Sequence, residues 1–177
     1  MSVSTPMHST ADAPGRLSRW SSRAPGRLSA AKIAMATLAS ITALLCLVLV
    51  GQLSGHLLLI PPMAASMALV VAAPQSPLSQ PRSVIGGQFV AAVVGVGAGL
   101  VSHSIWAAAI AGGLAIGATL WLRMPHSPAA ATAVIGTLAT TGQVSFVVCS
   151  VIAACILVSF GILRSKLRGG TYPSYWI

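Results

Sequence analysis

Between Ile33 and Leu163 the chain carries only two permanent charges, Arg82 and Arg123. A soluble domain keeps roughly a quarter of its residues charged, so this interval cannot supply a water-facing shell. Its apolar runs are each long enough to cross a hydrocarbon core of about 30 Å, and short breaks rich in Pro, Gly and Ser separate them. At that depth every backbone N–H and C=O must find its partner within the chain, which leaves helices or a closed barrel. A barrel strand alternates apolar and polar residues, and these runs do not. The expected fold is all-α, a polytopic helical membrane protein. With 55% of residues hydrophobic and 6% charged, the composition agrees.

The net charge of +9 resembles a nucleic-acid footprint until its placement is considered. Arg16, Arg19, Arg23, Arg27 and Lys32 precede the first apolar run, and Arg164, Lys166 and Arg168 follow the last. Basic residues flanking spans set orientation and attract anionic headgroups, so the expected partner is the lipid bilayer and not a nucleic acid. Both termini are expected in the cytoplasm, in a cell membrane of the bacterial inner-membrane type. Residues 1–32 read as a disordered basic tail in which Ala-Pro-Gly-Arg-Leu-Ser occurs twice, at Ala13–Ser18 and Ala24–Ser29. An Arg- and Ser-rich, acid-poor leader is also the composition of an organellar transit peptide, the less favoured reading. Residues 33–163 form the membrane domain, and 164–177 a basic and aromatic tail with Tyr172, Tyr175 and Trp176 suited to the interface.

Four long spans are expected, at Ile33 to about Leu53, Ser83–Val101, Ile105–Leu122 and Val144–Leu163. Two short helices lie between them. Pro61-Pro62 cannot sit inside a regular helix, but Pro62 can be its first residue, where a missing N–H costs nothing. The helix it starts reaches about Ala73. Ser127 as N-cap and Pro128 as first helical residue start a second, to Thr141. Pro62-Met63-Ala64-Ala65-Ser66 is heard again as Pro128-Ala129-Ala130-Ala131-Thr132, which suggests a duplicated three-helix unit. If both short helices cross, there are six crossings with every basic residue on one face; if they re-enter, there are four. Small residues recur at Gly87, Ala91, Gly95 and Gly99 and again at Ala109, Gly113 and Gly117, stripes that admit close helix packing and are compatible with a homo-oligomer.

The sequence at these breaks resembles the HPP family of integral membrane proteins. The resemblance is carried by Ile60–Ser66, by Ala73–Arg82 with its Ala-Pro, Ser-Pro-Leu and Gln-Pro-Arg steps, by Val84-Ile85-Gly86-Gly87, and by His126–Ala133, and it spans roughly Ile33 to Leu163. The family's name-giving His-Pro-Pro stands here as His126-Ser127-Pro128. Ala64 and Ala130 occupy positions where the family often has glycine, and Gln88 one where histidine is common. The resemblance implies a transporter, since plant and cyanobacterial members are associated with nitrite movement.

The residues themselves point toward an anion. A helix N-terminus presents unpaired N–H groups and about half a positive charge, and two such ends, at Pro62 and Pro128, each carry a hydroxyl one turn inward, Ser66 and Thr132. Arg82 and Arg123 are expected to draw a small anion in, with His126 as a titratable neighbour. As an equal alternative, both arginines snorkel to headgroups. No acid lies in the membrane part to form a carboxylate proton relay or to orient His126 beside Ser127 for hydrolysis, so no enzyme activity is expected. Cys46, Cys149 and Cys155 have neither metal-ligand nor disulfide spacing, and neither metal nor cofactor is implied. A non-transporting scaffold or sensor, assembling through the small-residue faces, is the other expectation.

Overall fold

The computed structural model describes residues 26–176. Most of the expected basic tail, including both Ala-Pro-Gly-Arg-Leu-Ser copies as far as Pro25, falls outside them. Among the described residues every regular element is helical. The α-helices are α1 (Ala30–Ser54), α2 (Pro61–Ala72), α3 (Gly87–Gly99), α4 (Ile105–Trp121), α5 (Ala129–Leu138) and α6 (Gln143–Leu167). A 3₁₀ turn at Pro77–Ser79 and a π-helical turn at Arg82–Gly86 lead into α3.

The element boundaries follow local chemistry. Ser29 caps α1 by accepting from Lys32 N at 3.4 Å, and Gly55 ends it with φ 70°, where a side chain would be strained. Ser104 caps α4 in the same way, through Ala107 N at 3.2 Å. Helix α2 begins at Pro61, one residue before the expected start, because the fixed φ of both prolines suits a first turn. Helix α5 differs more. Ser127 does not cap it; the chain enters through successive three-residue bonds, Ala129 N to His126 O at 3.1 Å and Ala131 N to Pro128 O at 3.1 Å, and Pro128 is the flanking residue. The helix stops at Leu138, short of Thr141. Helix α6 continues to Leu167, so Arg164 and Lys166 form its last turn rather than opening a tail.

Three helical stretches are long and apolar enough to span, Ala30–Ser54, Arg82–Gly99 and Gln143–Leu167. Helix α4, expected as a full span, has 17 residues, or about 26 Å. Large apolar side chains such as Leu45, Leu49, Ile110, Leu114 and Val144 face outward, a surface that only lipid satisfies. The chain is an integral membrane protein.

Helices α1 and α2 pack with α6, helices α3, α4 and α5 pack most closely on one another, and α6 is held at least as closely to α3 as to α1 or α2. The first core is filled by Leu47, Met63, Met67 and Leu157. The second is built from Ala91, Ala115, Ala129 and Ala133, so its backbones approach closely. A Cβ on Gly95 would stand 2.7 Å from Ala133 Cα, and Thr137 Oγ1 reaches Gly95 O at 3.1 Å. The stripe Gly87, Ala91, Gly95, Gly99 is buried as expected. On α4 the packed face is Ala108, Ala111, Gly112 and Ala115 instead, while Ala109, Gly113 and Gly117 face outward. The expected register on α4 is therefore corrected by one position.

Cross-helix bonds pair the helix ends. Arg168 reaches Met35 Sδ, joining the end of α6 to the start of α1. Arg164 Nη1 donates to Val71 O at 3.1 Å, at the end of α2, and Arg82 Nη2 to Leu122 O at 3.2 Å, at the end of α4. His103 Nδ1 lies 2.7 Å from Thr137 O, joining the α3–α4 turn to the end of α5.

Candidate functional site

The N-terminal halves of the two short helices meet at one amide. Ser66, in the second turn of α2, and Thr132, in the first turn of α5, are both fully buried, and between them lies Gln88 of α3. Gln88 Nε2 donates to Ser66 Oγ at 3.0 Å, and Thr132 Oγ1 donates to Gln88 Oε1 at 2.5 Å. Ser66 Oγ also approaches Pro62 O at 2.9 Å, a contact one turn back along its own helix. A buried amide left unpaired would cost about 1–3 kcal/mol, so the two hydroxyls and the amide hold one another in place.

His126 closes the cluster. Its Nε2 is 2.8 Å from Ser66 Oγ and its Nδ1 is 2.8 Å from Leu78 O. A carbonyl only accepts, so Nδ1 carries the proton. The imidazole is 3% exposed. It sits in the α4–α5 connection, outside the spanning helices, and burial pulls its pKa down to about 4 against the raising effect of the Leu78 bond.

Two features of the chain deliver His126 to that point. After α4, Arg123 N bonds Leu120 O at 3.0 Å and Met124 N bonds Thr119 O at 2.8 Å, the paired bonds of a Schellman stop. Arg123 takes the left-handed position of that stop, φ 59°, where glycine is usual. Gly86 and Gly87 then receive the returning strand. A Cβ on Gly87 would stand 2.7 Å from His126 Cβ and 3.3 Å from Met124 O. The π-helical turn that ends at Gly86 adds a residue to the turn and re-aims Gln88 relative to Arg82. A cavity of about 210 Å³, lined by Leu78, Ile116, Thr119, Pro125 and Ser127 among others, reaches His126 from outside the bundle.

Ser66 and Thr132 are thus brought together through Gln88 and His126 joins them through Ser66, with Pro62 contributing a carbonyl and Pro128 the entry to α5. Arg82 and Arg123 stay outside the cluster. Arg82 turns its Nη2 to the end of α4, and Arg123 is exposed. Gln88 was not among the expected site residues, although a signal existed: it is the one polar side chain between Ser83 and Ser102. Among the described residues no group of three His, Cys, Asp or Glu side chains is placed to hold a metal ion.

The family model described as HPP, transmembrane region, matches residues 25–173. The chain belongs to the HPP family. A transmembrane protein of Dictyostelium discoideum is 31% identical to this HPP chain over 153 residues, 78% of the chain and 54% of that protein. The HPP chain thus spans about half the length of that relative. No solved structure matches it. The family match extends past α6 to Pro173 and so takes in a segment read from sequence as an interfacial tail. Tyr172 in that segment is buried against Gly161 and Val70. Its hydroxyl donates to Ser79 O at 2.9 Å, and Ser174 N donates to Gln80 Oε1 at 2.9 Å. Burial pushes the Tyr172 phenol up, so it remains a donor. The tail therefore straps the Pro74–Pro81 connection directly beside Leu78, the residue that holds His126.

Proposed function

We propose that this chain is a transporter for a small inorganic anion such as nitrite in a cell membrane of the bacterial inner-membrane type. The observation that carries the reading is the convergence of Ser66, in the second turn of α2, and Thr132, in the first turn of α5, on Gln88, inside a bundle whose interior has donors and no carboxylate. Broken helices meeting at depth are the usual way a carrier builds a central site, and irregular backbone there is tolerated where protein encloses it. The two groups of helices fit a duplicated unit that exchanges its third helix: α1 and α2 pack with α6, while α4 and α5 pack with α3. Such a pair of units can rock about the α3–α6 contact to expose the cluster alternately.

The cross-helix bonds favour six crossings. They put the start of α1 and the ends of α2, α4 and α6 on one face, with Lys32, Arg82, Arg123, Arg164, Lys166 and Arg168, and leave His56 and His103 toward the other. The positive-inside rule then makes the basic face cytoplasmic. Nitrite, nitrate and chloride uptake into proteoliposomes tests the transport reading. Wild-type protein should take up one of these anions above empty liposomes, and Gln88→Leu should lose most of that flux while inserting normally. Unchanged flux in Gln88→Leu would remove the cluster from the path.

The scaffold reading keeps one specific support. Ala109, Gly113 and Gly117 form a smooth face that points away from the bundle, and an added Cβ at Gly113 or Gly117 would meet nothing within 4 Å. A homo-oligomer assembling through that face is the expected outcome if no anion moves.

A further inference from the structure

The guanidinium of Arg164 is held between α2 and α6 by one partner, the Val71 carbonyl at 3.1 Å. Its Nε is sealed from solvent and pairs with nothing among the described residues. One turn further along, at the end of α6, Arg168 has for an acceptor only the Met35 thioether, a weak one. Among the described residues there is no Asp or Glu to balance the pair. The C-terminal ends of α2 and α6 each bring about half a negative charge to this place, against two full charges on the arginines, so positive charge is left in excess.

The two arginines line a bowl. A cavity of about 240 Å³ opens between the end of α6, the Pro74-Gln75 step after α2 and the C-terminal strap, with Arg164, Arg168, Gln75 and Thr171 on its walls. Gln75 Nε2 donates to Thr171 Oγ1 at 2.7 Å, which fixes that hydroxyl and leaves its own proton for a further acceptor. Two planar guanidinium groups a turn apart, with a hydroxyl donor beside them, match the oxygens of a phosphate group.

Arg164 has a second setting. An apolar groove of about 280 Å³ runs between α1 and α6, lined by Met35, Leu38, Phe160, Leu163 and Leu167, and Arg164 lines it too. Leu38, Leu163 and Leu167 are exposed there, so in a membrane the groove holds hydrocarbon. Both arginines join the two cavities, since Arg168 lines the bowl and touches Met35 in the groove. A free phosphate would use the bowl alone. A molecule that uses both carries a phosphate and a hydrocarbon chain.

We infer that this seam binds one anionic glycerophospholipid: its phosphodiester lies on Arg164 and Arg168 with the Thr171 hydroxyl as a further donor, and one acyl chain fills the groove between α1 and α6. Basic pockets between spanning helices hold anionic headgroups in this way. A zwitterionic lipid brings its own cation to the bowl and gains less. The site shares no residue with the Gln88 cluster and does not rest on the transport reading. Because the lipid supplies the missing counter-charge and bridges α1, α6 and the strap, it stabilises the folded protein.

Lipid binding to delipidated full-length protein in detergent, read by native mass spectrometry with thermal unfolding in parallel, tests the site. Dioleoylphosphatidylglycerol should bind as one saturable molecule, about tenfold or more tighter than dioleoylphosphatidylcholine, which has the same chains. Arg168→Gln, at an exposed position that leaves the fold intact, should weaken phosphatidylglycerol about tenfold, the worth of one charge-assisted hydrogen bond, and Arg164→Gln at least as much. Lys166→Gln removes an equal charge from the same helix end but lines neither cavity, and it should leave binding within about twofold. Equal binding of the two lipids, or an equal loss in Arg168→Gln and Lys166→Gln, overturns the site in favour of a diffuse basic surface. Inorganic phosphate is the remaining arm. If it raises the melting temperature as much as phosphatidylglycerol does at equal concentration, the bowl is a phosphate site in which the groove has no part, and the lipid assignment falls.

Discussion

Gln88 decides whether the buried cluster is a set of satisfied groups or of orphans. Replacing it with Leu keeps the volume but strands the Thr132 hydroxyl and takes one donor from Ser66 Oγ, which keeps Pro62 O and His126 Nε2, so Gln88→Leu should lower stability by about 1–3 kcal/mol, read as a fall in melting temperature in detergent. His126 adds a pH dependence whose sign is fixed. Its pKa falls from 6.5 unfolded to about 4 folded, so the folded state binds fewer protons. The stabilisation is complete above about pH 6.5 and is lost as pH falls toward about 4. A full shift of that size corresponds to about 3 kcal/mol. Melting curves should show this acid loss in the wild type and its absence in His126→Gln. At this scale the sequence was partly legible. Ser66, Thr132 and His126 stood out as hydroxyls and a ring beside prolines, and they do meet. Gln88 is less legible as a departure from a family pattern than as a lone amide in an apolar helix, which by itself requires buried partners. Arg123 was read for its charge, and its backbone position proved the more informative: nothing in the residue type announces a left-handed φ.

At the scale of elements, close approach and strapping hold the helices. Gly95→Ala would push a Cβ against the Ala133 backbone, which has no flexible end to yield, so the variant should lose about 1–3 kcal/mol, whereas Gly113→Ala, facing outward, should be neutral or slightly stabilising. Thermal unfolding of the pair separates packing from helix propensity. The C-terminal strap offers a second case. Tyr172→Phe removes the donor to Ser79 O and leaves a buried carbonyl unpaired, and a loss of about 1–3 kcal/mol in thermal unfolding is expected. Helix boundaries were readable wherever Ser, Gly or Pro sets them, as at Ser104, Gly55 and Pro61. The stop of α5 at Leu138 was not, since no Ser, Gly or Pro stands beside it. The α4 stripe was misplaced by one residue because Ala108-Ala109 and Gly112-Gly113 are doublets: composition leaves two candidate faces, and only packing against α3 and α5 chooses between them.

At the scale of the molecule, the decisive quantity is how often the short helices cross. Helix α2 has 12 residues and covers about 18 Å, too little alone, but Leu57–Ile60 precedes it, and Ile60 has the extended backbone φ −113°, ψ 156°. Four residues at an extended rise span at most about 13 Å, enough to bring the broken segment to the thickness of a hydrocarbon core. Buried Leu58 and Ile60 supply the protein cover that such backbone needs at depth. Single cysteines placed in a background lacking Cys46, Cys149 and Cys155 test the path from each side of the membrane. Gln75 and Gly170, both beside the strap, should react with an impermeant maleimide from the cytoplasmic side, and His56 and Ser102 from the opposite side. Labelling of Gln75 from the same side as His56 would make α2 re-entrant. It would also place the Pro74–Pro81 connection, and with it the Leu78 carbonyl that fixes His126, on the wrong face for a cytoplasmic arginine cluster. Six crossings and the shared basic face therefore stand or fall on one accessible position, and Gln75 is the position to probe.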